Sequence, residues 1–355
     1  MKKAYLLLEN GQRFEGVAIG AAEECIGELV FTTGVCGYIE TLTDPAYYGQ
    51  IVMQTFPLIG NYGMIPSDVQ GKCALSGYVV RDLCDEPSNF RAETPLEEFL
   101  RANGIPGIAG IDTRALTQII REEGVMRAKI SYEENATTDD LKNFEIKDAV
   151  AAVTTKEPYT VGDGNAEYRV TLIDYGTQKY IADALAERGC AVTVVPADTS
   201  ADDILHAKPD GIVLSNGPGN PADNARYVAE IGKLFGQVPM LGIGLGHQMM
   251  ALARGGRTVA LKYGHRGSNQ PVRDLGGTRT YMSEQNHGYA VVADSVLDGK
   301  ERLRNLNDGT CEGIDYPKAK AFSVQVHPTY ARGTNNTSFV FDRFVKMVKE
   351  KGYAD

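Results

Sequence analysis

Residues 239–252 have the sequence PMLGIGLGHQMMAL, and the prediction for the rest of the chain starts from them. The first residues are apolar and predict a strand. The alternating glycines that follow predict a tight turn, and the apolar residues after position 248 predict a helix. A strand, a tight turn flanked by small residues and a helix make a nucleophile elbow, which normally presents Ser or Cys at its centre. Here the central residue is Gly244, so the sequence predicts an elbow without its nucleophile.

The same glycines could belong to the dinucleotide-binding fingerprint G-x-G-x-x-G. Gly242 and Gly244 fit its first two positions, but the third position falls on His247. The stretch also lies on a late strand, whereas the fingerprint follows the first strand of its fold. We therefore expect no bound cofactor in this chain.

Composition and charge narrow the class of protein. The 355 residues suggest two domains, and 43% hydrophobic with 23% charged residues is ordinary for a globular protein. A net charge of −10 argues against a nucleic-acid partner, and the lack of a run of about 18 apolar residues argues against a membrane span. The six cysteines include no C-x-x-C pair and the five histidines no H-x-x-x-H pair. We expect no metal site, reduced thiols and a cytoplasmic location.

The first domain is expected over residues 1–150. Two apolar runs around a turn at Asn10-Gly11 predict a β-hairpin over residues 6–18. Later apolar runs predict further strands, a helix is expected over 95–102, and Asp112 is a predicted N-cap of a second helix. This mixture predicts an α+β domain.

The second domain is expected over residues 168–355, after a polar, glycine-containing linker at 151–167. Strands and helices alternate in it at the spacing of a doubly wound, mostly parallel sheet. Ligands bind at the carboxyl ends of the strands in such sheets. The loop 215–221 and the turn 242–248 both fall at those ends.

Two further features could contribute to a site at this edge. The loop 215–221, SNGPGNP, could direct backbone N–H groups at a developing oxyanion; the alternative is an ordinary turn between a strand and a helix. A late strand ends in His327-Pro328, where the histidine could act as a general base to a nucleophile. The alternative is a surface histidine after the last strand.

Taken together, these motifs resemble the class I, triad-type glutamine amidotransferase domain. With the first domain, residues 1–350 resemble the small-subunit family of carbamoyl-phosphate synthase. In that family a Cys at the elbow attacks the glutamine amide, a His in an H-P-E tripeptide takes its proton, and the Glu orients the His. The segments with the closest resemblance are 37–47, 57–63, 88–91, 110–114, 215–221, 264–269 and 285–289.

Five positions of this chain depart from the pattern of the family, among them Tyr180, where an asparagine is usual, and Gln270, where a histidine is usual. The resemblance places Gly244 at the nucleophile position, Thr329 at the position of the triad acid, and Ala46 where a serine contacts the substrate glutamine. Other positions keep the family's residues. By resemblance, the triad base is His327, and the residues that bind glutamine are Gly217, Gly219, Leu245, Gln248, Asn286, Gly288 and Tyr289.

The resemblance implies a subunit of a ligase that pairs with a large synthetase subunit, on which ATP and Mg²⁺ are expected. We expect a heterodimer that forms carbamoyl phosphate for arginine or pyrimidine synthesis. Because glycine cannot form an acyl-enzyme and threonine cannot supply a carboxylate, we expect the glutaminase of this chain to be inactive. Two alternatives stay open. One is an active glutaminase that delivers ammonia, and the other is a module that binds L-glutamine as a sensor.

Overall fold

The structure is a computed structural model, and it describes residues 2–328 and 337–354. The chain divides into two compact units, Met1–Lys147 and Asp148–Asp355, close to the boundary expected at residue 150. Each unit has its own sheet and its own buried apolar core.

The first unit contains a closed seven-stranded barrel with the strand order β1-β2-β8-β6-β4-β3-β9, while β5 pairs with β7 in a separate small sheet. Its strands are β1 (Lys3–Leu8), β2 (Arg13–Gly20), β3 (Cys25–Thr32), β4 (Gln50–Gln54), β5 (Leu58–Ile59), β6 (Gly77–Val79), β7 (Asp82–Leu83), β8 (Pro106–Ala109) and β9 (Met126–Ser131). Its helices are α1 (Tyr38–Leu42), α2 (Leu96–Ala102) and α3 (Thr113–Glu123).

Local sequence signals in the first unit are confirmed. The strands β1 and β2 form the predicted antiparallel hairpin, and Gly11 takes a φ of 87° in its turn. The Asp112 side chain accepts a hydrogen bond of 3.0 Å from the Ala115 N–H and caps α3. The barrel itself was not predicted, because the parallel pairs β3–β4, β4–β6 and β6–β8 join segments that are distant in the chain.

The second unit contains a ten-stranded sheet within the described residues, in the order β10-β12-β11-β13-β14-β19-β18-β16-β15-β17. Its strands are β10 (Tyr159–Val161), β11 (Tyr168–Asp174), β12 (Cys190–Pro196), β13 (Gly211–Leu214), β14 (Met240–Ile243), β15 (Arg257–Asp274), β16 (Thr280–Val292), β17 (Lys300–Asn305), β18 (Cys311–Tyr316) and β19 (Ala321–Val324). Its helices are α4 (Ala149–Val153), α5 (Lys179–Ala186), α6 (Ala201–His206), α7 (Ala225–Leu234), α8 (Leu245–Ala253) and α9 (Phe339–Glu350).

Helices cover both faces of the parallel strands β12, β11, β13, β14 and β19, which confirms the doubly wound core. Alternate residues of each strand enter different apolar layers, as the two-residue period of a strand requires. Val213 packs in the layer with α5 and α9, whereas Ile212 and Leu214 pack in the layer with α6, α7 and α8. The remaining strands pair antiparallel and extend the sheet on both sides.

The segment 151–167 differs from the linker that the sequence predicts. It contains the end of α4 and the whole of β10, and β10 pairs antiparallel with β12 at the edge of the sheet. Its polar composition misled the prediction, because the described side chains of an edge strand remain largely exposed, as those of Tyr159 and Thr160 do. Among the described residues, none of the helices has an apolar stretch long enough to cross a membrane.

Candidate active site

The predicted elbow is confirmed as a strand, a single-residue turn and a helix. The strand β14 ends at Ile243, the helix α8 begins at Leu245, and Gly244 between them has φ 58° and ψ −112°. The Gly244 N–H donates to the Val324 carbonyl at 2.9 Å, and its carbonyl accepts from the Gln248 N–H at 3.2 Å. A side chain at this position would sit in a backbone conformation that L-residues rarely adopt.

Close backbone approaches fix the two flanking glycines of the elbow. A Cβ on Gly246 would clash with the Leu214 carbonyl and lie 2.7 Å from the Leu214 Cβ. A Cβ on Gly242 would lie 2.5 Å from the Met250 sulfur. A Cβ on Gly244 meets less resistance, because its nearest neighbours are the Cβ and Cα of Asn216 at 3.1 and 3.3 Å. The central position can therefore hold a small side chain, whereas the flanking positions cannot.

The loop 215–221 lies against the elbow and against the end of β11. The Ser215 carbonyl accepts from the Gly246 N–H at 3.0 Å, and the Ser215 hydroxyl accepts from the Tyr175 N–H at 2.9 Å. Gly217 passes so close to the Tyr175 carbonyl that any Cβ would clash with it, and Gly219 has a φ of 86°. These contacts hold the loop at the edge where the sequence expects it; its role toward an oxyanion stays a prediction.

His327 comes to the same edge of the sheet as Gly244. The strand β19 pairs in parallel with β14, with Val324 opposite Ile243, so the chain leaves both strands at their carboxyl ends side by side. His327 is 1% exposed, and its N–H donates to the Glu284 carbonyl at 2.9 Å. Thr329, the expected position of the triad acid, lies outside the described residues.

Gln248 links the helix of the elbow to the expected glutamine-binding residues. Its side-chain Nε2 donates to the Tyr289 carbonyl at 2.7 Å and to the Gln325 Oε1 at 2.8 Å. Asn286, Gly288 and Tyr289 are half-buried residues of β16. Leu245 is buried at the start of α8.

Ala46 lies in the first unit. It is buried within a 3₁₀ helix, Pro45–Tyr47, and its N–H donates to the Asp44 carboxylate at 3.0 Å. The side chain is a single methyl group, so it offers no hydroxyl to a substrate.

Sequence reasoning missed three residues at this edge. The side-chain oxygen of Gln325 accepts a hydrogen bond from Gln248, and the Glu284 carbonyl accepts one from the His327 N–H. The Cβ of Asn216 lies next to the position that a side chain at residue 244 would occupy. Gln325 could have been found from its position two residues before His327, because alternate residues of an extended segment share a side. Glu284 depends on the pairing of two distant segments, which no local pattern shows. Asn216 lies in the loop 215–221 that the sequence places at this edge, but no role was assigned to its side chain.

His247 of the elbow helix is a structural residue. It is completely buried, its Nδ1 lies 2.8 Å from the Ser323 hydroxyl, and burial lowers its pKa from 6.5 to about 3. The imidazole is therefore neutral at ordinary pH, and it joins α8 to β19 below the elbow.

Comparison with known proteins places the chain in a family. Residues 6–130 match the family model described as carbamoyl-phosphate synthase small chain, CPSase domain, and residues 171–347 match glutamine amidotransferase class-I. The carbamoyl phosphate synthase small chain of Clostridium perfringens is 46% identical over 97% of this chain and 99% of its own length. This chain belongs to the carbamoyl phosphate synthase small chain family.

Other small chains give the same result. That of Oceanobacillus iheyensis is 46% identical over 98% of this chain and 97% of its own length. That of Methanopyrus kandleri is 45% identical over 98% of this chain and 99% of its own length. The two matched segments fall one in each structural unit, so the barrel corresponds to the small-chain domain and the ten-stranded sheet to the glutamine amidotransferase domain.

Proposed function

We propose that this chain is the small subunit of a carbamoyl phosphate synthase and that its own glutaminase is inactive. In this proposal it acts with a large synthetase subunit, which carries ATP and Mg²⁺ and uses free ammonia. The observation that supports the loss of activity is Gly244, which occupies the centre of an intact elbow and has no side chain.

The chemistry of amide hydrolysis explains why this one position matters. A thiolate at the elbow would attack the amide carbon, and the N–H of Leu245 with an N–H of the preceding loop would stabilise the oxyanion. Without the thiol no acyl-enzyme forms, and loss of the nucleophile costs a triad hydrolase about 10⁶ in turnover. Thr329 deepens the loss, because a hydroxyl cannot stabilise an imidazolium at His327 as a carboxylate does.

The cysteines of the second unit do not replace the missing nucleophile. Cys190 begins β12, at the opposite end of the parallel strands from the elbow. Cys311 in β18 lies nearer in register, but it is buried in an apolar layer, and burial raises its pKa to about 12. A thiol that is buried and protonated is not a nucleophile at ordinary pH.

Binding of L-glutamine without hydrolysis is a second candidate function. The contact of Gln248 with Tyr289 and Gln325 keeps the expected binding residues of α8 and β16 together at the elbow. Titration calorimetry with the intact chain tests this candidate, and the absence of heat at millimolar glutamine would remove it.

The test of the main proposal is to reconstitute the chain with its cognate large subunit and to measure carbamoyl phosphate with one nitrogen source at a time. We expect product with ammonium and only background with glutamine. The ammonium reaction is the internal control for a competent large subunit. A rate with glutamine comparable to the rate with ammonium would contradict the inactive glutaminase, and no product with either source would contradict the subunit assignment.

A further inference from the structure

A buried polar cluster lies on the antiparallel side of the second unit, outside the elbow. It consists of His265 on β15, His287 on β16 and Glu312 on β18. His265 and His287 stand directly opposite each other in the β15–β16 ladder, so their side chains share a face of the sheet. All three residues are buried, and potential ligand atoms of the three lie within 4.8 Å of one another.

In each histidine, one ring nitrogen forms a hydrogen bond with an acceptor on the side of the ring away from Glu312. The Nε2 of His265 lies 2.8 Å from the Asp308 carboxylate, and the Nδ1 of His287 lies 2.8 Å from the Tyr289 carbonyl. Carbonyl and carboxylate oxygens only accept, so in the neutral imidazoles these nitrogens carry the hydrogen. The other nitrogens, Nδ1 of His265 and Nε2 of His287, then present lone pairs to Glu312. Metal-binding histidines are oriented in this way by an acceptor behind the ring.

The carboxylate of Glu312 is completely buried and has few donors. Its Oε1 receives long contacts from the Thr310 hydroxyl at 3.1 Å and from the Asn305 amide at 3.3 Å. The Thr310 hydroxyl has one hydrogen and lies closer to Asp308, at 2.8 Å. Among the described residues, no hydrogen-bond donor reaches the Oε2 of Glu312. A buried carboxylate in this state is costly unless a cation or a proton balances it.

The inner face of the cluster is made almost entirely of acceptor atoms. Oε1 of Glu312 lies 3.5 Å from Nδ1 of His265, and Oε2 lies 3.9 Å from Nε2 of His287. The side-chain oxygen of Gln285 lies 3.0 Å from the same Nε2. The Asn305 amide is a donor and lies 3.4 Å from Nδ1 of His265. Lone pairs that face one another in a buried space attract a positive charge.

We propose that His265, His287 and Glu312 bind a divalent transition-metal cation of the Zn²⁺ class. Two imidazoles and one carboxylate with an open fourth position are a known zinc ligand set. Bonds of 2.0–2.2 Å place tetrahedral ligands about 3.4 Å apart. The two oxygens of Glu312 lie 3.5 and 3.9 Å from one nitrogen of each histidine, and one ligand atom from each of the three residues lies within 4.8 Å of the others, so the widest pair has to approach by up to about 1.4 Å on binding. Mg²⁺ and Ca²⁺ fit less well, because they prefer oxygen ligands throughout.

The competing arrangement is a proton held between His265 and Glu312. Burial opposes the charge on His265, but Glu312 and Asp308 outweigh it and raise its pKa, while burial raises the pKa of Glu312. Among the described residues, Arg266 and Asp308 are charged groups that act on the two histidines beside Glu312 itself. A proton would balance the charge of the Glu312 carboxylate as a metal would, so the test has to detect the metal itself.

A bound cation would stabilise the part of β16 that reaches the elbow. The Tyr289 carbonyl accepts from His287 on one side and from Gln248 on the other. Metal at His287 therefore holds the strand segment that contacts the elbow helix. The measurable signs of such a site are metal affinity and a higher midpoint of thermal unfolding.

The test is a titration of the full chain, after treatment with a chelator, with Co²⁺ as the optical probe. We expect one equivalent to produce the visible bands of four-coordinate cobalt with nitrogen and oxygen ligands, and Zn²⁺ to displace it. Glu312→Gln should weaken binding by more than 100-fold. Asp308→Asn, which keeps all three ligands and changes the acceptor behind His265 and beside the Thr310 hydroxyl, should weaken it about 10–100-fold.

Two matched variants control for binding elsewhere. His206→Asn removes an exposed histidine and Cys36→Ser an exposed thiol, and neither should change the titration. The proposal is overturned if excess cobalt leaves the spectrum unchanged, which is the result expected for a proton at the cluster. It is also overturned if the bands disappear in Cys36→Ser, or if Glu312→Gln binds as the native chain does. Should Glu312→Gln fail to fold, Asp308→Asn decides, because its side chain is 40% exposed.

Discussion

Two regions of the second unit differ in what they contain: the elbow has the backbone geometry of an active site without a reactive side chain, and the polar cluster has ionisable side chains outside the elbow. The elbow at Gly244 keeps its backbone, its hydrogen bonds and its neighbouring loop, but has no reactive side chain. The cluster of His265, His287 and Glu312 keeps a full set of ionisable side chains, but lies outside the elbow. The comparison shows that an elbow is maintained by strand register and close backbone packing, which do not depend on a reactive side chain at its centre.

The energetics of the two regions differ for the same reason. A non-glycine residue in the strained conformation at position 244 costs about 1–3 kcal/mol, so glycine there relieves strain. In the cluster the carboxylate of Glu312 is buried without a donor at its Oε2, so the loss of any member changes the charge balance of a buried group. The elbow therefore tolerates the loss of its side chain, whereas the loss of a cluster member should change the stability of the fold.

The largest expected effect is a gain of glutaminase activity when the missing triad residues are restored. Gly244→Cys with Thr329→Glu should raise glutamate release from glutamine by several orders of magnitude, since loss of the nucleophile alone costs about 10⁶. Gly244→Cys alone should gain less, because position 329 would still carry a hydroxyl instead of the carboxylate of the family triad. Glutamate release is measured in the complex with the large subunit.

The matched control is Gly244→Ala with Thr329→Glu, which adds a side chain without a thiol and should gain nothing. If the folded cysteine variant also gains no activity, the elbow does not retain catalytic geometry, and the claim that its backbone is intact without its reactive side chain is wrong.

The second effect is a difference in the free energy of unfolding between alanine variants at the elbow glycines 244 and 246. Gly246→Ala should lower the free energy of unfolding by about 3 kcal/mol or more, because its Cβ meets the backbone of Leu214. Gly244→Ala should cost about 1–3 kcal/mol from backbone strain. Gly232→Ala, in the open interior of α7, should stabilise by about 0.5–1 kcal/mol. Denaturant unfolding measures all three, and equal costs at 246 and 232 would contradict the packing described for the elbow.

The smallest expected effect is a pH dependence that originates behind the elbow. The pKa of His247 falls from 6.5 in the unfolded chain to about 3 in the fold, so the unfolded state binds the extra proton between these values. The neutral His247 contributes fully to the free energy of unfolding above pH 6.5, and this contribution is lost as the pH falls. The loss is about 2 kcal/mol between pH 6.5 and pH 5. His247→Asn should flatten the curve by that amount.

The exposed His206 provides the control for this measurement. His206→Asn makes the same substitution at an exposed position and shows what the exchange itself does to the curve. Identical slopes in His247→Asn and the native chain would show that the buried imidazole does not set this acid sensitivity.

Local patterns in the sequence predicted a good part of the fold. The hairpin of β1 and β2, the Asp112 cap and the strand–turn–helix at Gly244 depend on neighbouring residues, and the structure confirms them. The barrel and the edge strand β10 depend on pairing between distant segments, so composition alone predicted a generic α+β domain and a linker there.

The site shows the same division. The spacing of the glycines predicts the elbow at Gly244, whereas the role of His327 was assigned only through the resemblance to the family. The cluster of His265, His287 and Glu312 could not be found in this way, because three strands in register bring together residues without any local metal-binding spacing. The sequence analysis expected no metal, and the proposed site departs from that expectation.

The account is tested most directly by the hydrolysis of glutamine itself. Labelled glutamine is incubated with this chain and its large subunit under conditions in which ammonium supports synthesis, and glutamate is counted for the native chain and for His327→Asn. The account predicts release at background in both, because no thiol at position 244 exists for His327 to activate. Release above background that disappears in His327→Asn would contradict it, since the histidine would then still catalyse hydrolysis without a nucleophile at the elbow.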